Sequence, residues 1–207
     1  MRRRAPAAPR VFLLSPARCD GVRMSMLRRS AATFPLAVEL RSAAGAALGD
    51  VFTFTSGLYF RGKLTYARAF GASWVITPGA GLVEPEQRIT PAILDGWARV
   101  RVDLDDRRYR RPLERDARAL AAQLPGIEVV LLGSIASDKY VDLLLDVFGD
   151  RLLFPVDFVG RGDMSRGGLL LRSARSGTEL PYGLVRGAVR HGPRPPRLPK
   201  LSRARTG

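Results

Sequence analysis

Short apolar runs alternate with segments of helical periodicity through most of this chain, and that alternation constrains its fold more than any other feature. The predicted strands are residues 11–15, 51–54, 74–77, 128–132 and 152–159. The predicted helices are residues 60–70, 111–124, 138–148 and 164–174, with a further helical pattern at 25–40 that Pro35 interrupts. The pattern predicts an α/β fold, a single three-layer domain with a mostly parallel sheet.

Length and charge distribution predict one folded domain with basic tails. The chain has 207 residues and a net charge of +15, yet residues 1–10 and 186–207 contain eleven basic residues and no acidic one. We therefore expect disordered tails at 1–10 and 186–207 around an α/β domain at 11–185. Such tails predict salt-sensitive, non-specific binding of RNA or DNA, and solvated tails without a partner are the alternative.

The start of the chain predicts a cytoplasmic protein. The apolar run after the basic beginning covers only residues 11–14, shorter than the roughly 7–15 residues of a secretory signal. No run approaches the roughly 20 apolar residues that cross a bilayer, so we expect no membrane association. The single cysteine, Cys19, permits no intrachain disulfide, which is typical of a reducing compartment.

Missing motifs exclude several classes of enzyme. The one histidine is His191, in the basic C-terminal segment, and with Cys19 it falls short of the four ligands of a structural zinc site. The chain has neither a Walker A sequence nor a G-x-G-x-x-G after a predicted strand. We expect no metal and no cofactor. Any catalysis would use carboxylates, Tyr, Lys or Arg, and the sequence leaves open whether the protein is an enzyme at all.

The stretch VGRGDMSRGGLLLR (residues 159–172) predicts a turn into a helix that suits an anion. Asp163 is placed to cap the helix, and Ser165 and Arg166 lie in its first turn. Free backbone amides there, together with an Arg side chain, favour a phosphate or a carboxylate. The pair Gly167-Gly168 is unfavourable within a helix, which indicates a close neighbour. That neighbour is either a ligand or a packed element.

Two other segments have the composition of binding loops. Residues 133–140 combine small residues, hydroxyls and Lys139 at a predicted strand-to-helix turn, where Ser137 is placed to cap the helix. Tyr59, Arg61 and Lys63 interleave an aromatic ring with cations, a pattern suited to stacking on a base and pairing with phosphate. The alternatives are a capped helix with a solvated Lys, and an aromatic pair that belongs to the core.

Because ligands bind beyond the carboxyl ends of parallel strands, we expect the strand-to-helix loops to form one site. The candidate ligand-binding residues are Ser15, Tyr59, Arg61, Lys63, Gly133, Ser134, Lys139, Gly162, Asp163, Ser165 and Arg166.

Three stretches of the chain are similar to a known family. They are TSGLYFRGKLTYARAFGASWVITPGAGLVEPEQRIT, GSIASDKYVDLLLDVFG and FVGRGDMSRGGLLLR. In pattern order, residues 11–172 resemble an uncharacterised bacterial family of unknown-function domains, which has a Leu-Tyr/Phe-Arg-Lys-type helix and a Gly-Leu-x-x-Pro loop. The family is distantly similar to the core domain of archaeosine-type tRNA-modification proteins and to the uracil-DNA glycosylase fold. The resemblance implies nucleic-acid or nucleobase handling. Gly79 and Ala80 stand where the family commonly has Lys-His, which favours binding over catalysis.

The function we expect is binding of a nucleotide, nucleobase or nucleic acid at the C-terminal edge of the sheet. An enzymatic version is a glycosylase or base-exchange-like activity that uses the carboxylate of Asp163 or of Glu84. The alternative is a non-catalytic module, associated with nucleic acid or bound to a protein partner. The sequence makes no prediction of oligomeric state.

Overall fold

The computed structural model describes residues 10–17, 19, 21–196 and 198. The strands are β1 (Arg10–Leu14), β2 (Ala46–Ala47), β3 (Ser73–Thr77), β4 (Gly81–Val83), β5 (Arg88–Ile89), β6 (Glu128–Leu132), β7 (Leu152–Pro155) and β8 (Tyr182–Leu184). The helices are α1 (Val22–Arg28), α2 (Pro35–Arg41), α3 (Leu48–Ser56), α4 (Leu58–Phe70), α5 (Pro91–Ala98), α6 (Arg107–Gln123), α7 (Val141–Phe148) and α8 (Asp163–Ser176). Short 3-10 helices flank β7, at Gly149–Arg151 and Val156–Phe158.

Six strands form one sheet in the order β4-β3-β1-β6-β7-β8. The four inner strands are parallel, and β4 and β8 pair antiparallel at the two edges. The central strand β1 has Leu13 opposite Trp74 of β3 and Leu131 of β6. A separate two-stranded antiparallel ribbon joins β2 to β5. The predicted α/β fold with a mostly parallel sheet is confirmed.

Helices cover both faces of the sheet because the inner strands are apolar on both sides. Phe12 and Leu14 of β1 point into a core shared with α4 and α8. Val11 and Leu13 point into a second core shared with α6 and α7. A strand covered on both faces is typically a continuous apolar run, as β1 and β6 are. In the described part of the chain, no helix has both the length and the apolar character to cross a membrane.

Two glycines bring α4 and α8 into unusually close contact. A Cβ added to Gly62 would lie 2.7 Å from the carbonyl oxygen of Gly167, and one added to Gly167 would lie 2.6 Å from that of Leu58. Side chains at these positions would hold the helices apart. The close neighbour of Gly167 is therefore helix α4 and not a ligand. Gly168 has only Leu198 near its missing Cβ, at 3.6 Å.

The prediction of a strand at residues 51–54 is wrong, because these residues lie within α3. The run Val-Phe-Thr-Phe favours a strand by composition, but short apolar runs do not separate strand from buried helix. In the helix Val51 and Phe52 enter the core, and Leu48 N donates to Gln87 O at 2.9 Å. Tertiary contacts therefore override the local preference.

The predicted helix starts also need correction. Ser137 does not cap α7, which begins at Val141, and its hydroxyl accepts a long 3.4 Å hydrogen bond from Lys139 N. Asp163 is the first residue of α8, after Gly162 at the N-cap position, and makes no capping hydrogen bond. Strand β7 lies between β6 and β8, so it is not the edge or bulged strand that Pro155 suggested. Pro155 is its last residue.

The segment after β8 returns to the start of α8. Arg161 Nη1 donates to Pro196 O at 3.3 Å, and Gly160, at φ +71°, leaves room for the Pro193 carbonyl. At the other end, Arg10 belongs to β1 and contacts Glu128 at 2.9 Å and Glu179 at 2.6 Å. The remaining parts of the two basic tails lie outside the described residues.

Candidate functional site

The carboxyl ends of β1 and β6 meet at the centre of the sheet, where the chain direction changes. The chain leaves β1 for β3 on one side and later enters β6 on the other side, so this is a topological switch point. A crevice forms at such a point because consecutive connections diverge to opposite faces. Ser15 follows β1 directly, and its N–H still donates to Leu132 O of β6 at 3.2 Å.

Two adjacent cavities open at this crevice. The smaller, of about 290 Å³, is lined by Ser15, Pro16, Ala17, Thr55, Ser56, Tyr59, Lys63, Ser134, Tyr140 and Asp163. The larger, of about 660 Å³, is lined by Ser15, Pro16, Ala17, Cys19, Pro78, Trp97, Ala98, Arg99, Val100, Arg101, Val102, Asp103, Ser134, Ser137, Lys139 and Tyr140. Both share the residues that follow β1 and β6. Loops after β1, β3, β6 and β7 therefore converge at one edge, as the alternating pattern predicts.

Gly133 allows the two central loops to meet. A Cβ at this position would lie 2.8 Å from Ser15 Cβ and 2.9 Å from the Tyr140 hydroxyl oxygen. The Tyr140 hydroxyl donates to Ser134 O at 3.2 Å, which ties the start of α7 to the end of β6. The absence of a side chain at Gly133 therefore leaves room for two other side chains.

Lys63 of α4 is buried under this crevice. Its ammonium nitrogen Nζ donates to Ser15 O at 2.6 Å and to Ser15 Oγ at 2.9 Å, and the residue is 1% exposed. Nζ also lies 4.6 Å from the ring centre of Tyr59 and 4.8 Å from that of Phe60. The helix periodicity of α4 points Lys63 and Tyr59 to the sheet, while Arg61 stays exposed.

Burial without a close carboxylate lowers the pKa of Lys63 to about 7. The negative charge of Asp163 opposes this shift, but it is the smaller effect. The Asp163 carboxylate lies 3.8 Å from Arg166 and is 71% exposed, which limits its effect on Lys63. Near neutral pH, Lys63 is therefore divided between the ammonium and the neutral amine.

Tyr59 has a buried hydroxyl that makes no well-formed hydrogen bond with the described residues, although the Arg166 guanidinium lies near enough to interact with it. Burial raises the pKa of this hydroxyl, so it stays protonated and available as a donor, although the charge of Arg166 acts in the opposite direction. The Tyr59 ring is covered by Lys63 and packs edge-on against Phe158, with ring centres 6.4 Å apart. Tyr59 is 7% exposed, so its ring is a core group and not the open stacking platform that the sequence suggested.

Asp163 and Arg166 lie at the rim. The Asp163 side chain is 71% exposed and its Oδ1 is 3.8 Å from Arg166 Nη1. Arg166 donates through Nε and Nη2 to Phe158 O, at 3.2 and 3.1 Å, and lies over the Phe158 ring. A guanidinium engaged in this way holds the loop before α8, and its predicted phosphate contact would require it to leave these partners.

Five of the eleven predicted residues line the smaller cavity: Ser15, Tyr59, Lys63, Ser134 and Asp163. Lys139 lines the larger one, exposed to solvent. Gly162 and Ser165 line a different cavity of about 340 Å³, on the side of the C-terminal segment. Arg61 and Glu84 are exposed and line none of these three cavities. Of the two candidate carboxylates, only Asp163 reaches the crevice.

Several cavity residues were not predicted. Tyr140 stands at the end of the 133–140 segment and within the helix predicted over residues 138–148, and the pattern assigned it no binding role. The segment from Trp97 to Asp103 contributes apolar groups and the cations Arg99 and Arg101 to the larger cavity. The available signal was the pair of cations at Arg99 and Arg101, which stand beside apolar residues between two helices.

Among the described residues, no group of three or more His, Cys, Asp or Glu side chains is arranged to hold a metal ion. Comparison of the chain with protein-family models, with curated proteins and with solved structures gives no match.

Proposed function

We propose that this protein binds a nucleotide or nucleobase, free or within a nucleic acid, in the crevice between the carboxyl ends of β1 and β6. The observation that carries the proposal is the pair of joined cavities at the switch point of the sheet. A parallel α/β sheet uses this position for ligands because strand ends and helix starts converge there.

The two cavities differ in a way that suits the two parts of a nucleotide. The larger one combines the apolar side chains of Trp97 and Val100 with the cations of Arg99 and Lys139. The smaller one offers buried hydroxyls, an amine and the Asp163 carboxylate. Cations near an open cavity favour a phosphate, and convergent donors and acceptors favour the edge of a base.

An enzymatic version of the proposal is cleavage or exchange at the bond between base and sugar, with Asp163 as the carboxylate. In such reactions positive charge develops on the sugar, and a nearby carboxylate stabilises it or attacks the sugar carbon. The alternative function is a non-catalytic nucleic-acid-associated or partner-binding module. The basic tails favour it, since they carry most of the net charge of +15.

The test is calorimetric titration of the full chain with nucleosides and the matching nucleoside monophosphates. We expect the monophosphates to bind, and Lys139→Ala to weaken them by about ten-fold, or about 1.4 kcal/mol. Arg61→Ala is the matched control, because Arg61 is an exposed cation outside the cavities. Equal loss in both variants, or no binding by wild type, would contradict the proposal.

A further inference from the structure

We infer that Lys63 is an amine nucleophile, and that the smaller cavity takes a small aldehyde or ketone which forms an imine with its Nζ. This inference rests on the proposed function only in placing a ligand in that cavity. The class of ligand it names is a carbonyl compound with a polar or phosphorylated group, such as the open-chain form of a sugar.

The surroundings of Lys63 favour a reactive amine over a structural cation. A structural buried lysine is normally paired with a carboxylate, since an unpaired buried charge is costly. The carboxylate that acts on Lys63 is that of Asp163, which is 71% exposed at the rim of the cavity and lies 3.8 Å from the Arg166 guanidinium. Lys63 instead donates to two oxygens of one residue, Ser15.

Two acceptors match the neutral form of the side chain. A neutral amine has two N–H bonds and one lone pair, whereas an ammonium has three N–H bonds and no lone pair. Ser15 O and Ser15 Oγ accept the two N–H bonds and leave the lone pair unused. Burial also lowers the pKa of Lys63 to about 7, so the amine is present at neutral pH. Desolvated lysines of this kind form imines with carbonyl substrates.

A second observation at the same cavity points to a ligand. The Tyr59 hydroxyl is buried and stays protonated, and it makes no well-formed hydrogen bond among the described residues. The nearby Arg166 guanidinium can only donate to it, so the hydroxyl proton has no acceptor there. Buried polar groups without a partner are rare in proteins and call for an explanation. Tyr59 and Lys63 line one cavity, so a carbonyl oxygen bound there would accept a hydrogen bond from Tyr59 while its carbon faces Lys63.

The chemistry balances without any further reactant. The Nζ lone pair forms a bond to the carbonyl carbon, the C=O π electrons move to oxygen, and a proton passes from nitrogen to that oxygen. The resulting carbinolamine loses its oxygen as water together with the second nitrogen proton. One amine and one carbonyl compound therefore give one imine and one water, with nothing oxidised or reduced.

Because the chain has few lysines, an adduct can be assigned to one of them without ambiguity. The chain contains only Lys63, Lys139 and Lys200. The full-length protein is incubated with 2-deoxyribose 5-phosphate and sodium cyanoborohydride at pH 7, and the reduced adducts are located by peptide mass spectrometry. We expect Lys63 to carry at least about ten times the adduct of Lys139, which corresponds to about 1.4 kcal/mol.

Two variants distinguish the loss of the Lys63 amine from a general loss of folded protein. Lys200→Arg, which leaves both lysines of the crevice in place, should retain the adduct on Lys63. Lys63→Arg, which keeps a cation, should lose it. An adduct on Lys139 and Lys200 with none on Lys63 would overturn the inference. So would a Lys63→Arg chain whose total adduct yield equals that of wild type, because the other lysines would then account for all the labelling.

Competition separates this inference from the proposed function. If nucleoside monophosphate binds and Lys63 remains unlabelled, the proposed function stands and the nucleophile is wrong. If Lys63 is labelled and no nucleotide binds or competes, the nucleophile stands and the ligand is a different carbonyl compound. Protection of Lys63 by nucleotide supports both.

Discussion

Lys63 is held inside the protein by two oxygens of Ser15 and by the faces of two aromatic rings. Ring faces attract the ammonium, but by only about 1 to 2 kcal/mol each, less than the cost of removing a charge from water. The residue therefore makes the stability of the protein depend on pH, and that dependence is measurable whatever the ligand is.

The first prediction concerns pH and the Lys63→Met variant. Below about pH 7 both folded and unfolded wild type bind the Lys63 proton, and the folded state bears the cost of the buried charge. From pH 7 towards 10 the folded state releases the proton while the unfolded state, with a pKa near 10.5, keeps it, so wild-type stability rises. Relative to Lys63→Met, we expect wild type to gain about 3 to 4 kcal/mol.

Urea unfolding of both proteins at pH 6, 7, 8, 9 and 10 provides the measurement. The difference between the two free energies of unfolding is used because the tyrosines, whose pKa values burial raises, titrate similarly in both chains. A pH-independent difference would show that Lys63 keeps an ordinary pKa.

The second prediction uses Tyr59→Phe with Tyr109→Phe as its matched control. Both hydroxyls are buried and neither makes a well-formed hydrogen bond in the described structure, and Tyr109 packs in the other core. Removing an unsatisfied hydroxyl should raise the free energy of unfolding by about 1 kcal/mol in each variant. Only Tyr59→Phe should also reduce the yield of the Lys63 adduct. Equal adduct yields in the two variants would remove Tyr59 from the site.

At the scale of elements, the contact between α4 and α8 positions the smaller cavity. Helix α4 brings Tyr59 and Lys63 to it, and α8 brings Asp163. The two helices approach closely enough for this only because Gly62 and Gly167 face one another. The shape of this cavity is thus controlled by two glycines that do not line it.

The third prediction compares Gly167→Ala with Gly168→Ala. Alanine at 167 would place Cβ 2.6 Å from Leu58 O, so the helices must separate, and we expect a loss of about 2 to 3 kcal/mol. Alanine at 168 meets only Leu198 at 3.6 Å, and better helix propensity should stabilise by up to about 1 kcal/mol. Thermal or urea unfolding of the pair provides the measurement, and equal stabilities would refute the close packing.

At the scale of the whole molecule, much of the positive charge lies in terminal segments outside the central α/β domain. Arg10, which the charge distribution placed in the N-terminal tail, belongs to the first strand of the sheet and pairs with Glu128 and Glu179. The C-terminal segment packs against the start of α8 up to Pro196. A deletion that tests the tails must therefore retain residues 10–198 and remove only the residues before and after them.

The fourth prediction concerns removal of residues 1–9 and 199–207, which deletes five Arg and one Lys. If the tails bind DNA, the slope of log K against log salt concentration should become shallower by up to about 5, or about 0.9 per charge. Binding of nucleoside monophosphate in the crevice should not change. Filter binding at several salt concentrations measures the first quantity, and an unchanged slope would show that the tails make no phosphate contacts.

Local pattern was enough for much of the fold and for the location of the crevice. The apolar runs of β1 and β6, and the helix patterns of α4, α6 and α8, reflect backbone periodicity that the sequence carries directly. The rule for parallel sheets then placed Ser15 and Ser134 at one edge. The prediction from local pattern failed at α3, because a short apolar run is compatible with strand and helix alike.

By itself, the sequence determined the α/β class, the order of most elements and the edge of the sheet at which their loops meet. Only the tertiary structure decided that Lys63 is buried on Ser15, that the Tyr59 hydroxyl makes no well-formed hydrogen bond with the described residues, and that Gly167 packs on α4. The physical reason is that periodicity and turn chemistry act over a few residues. Burial, pKa and close approach depend on what another segment, about fifty or a hundred residues away, places opposite the side chain.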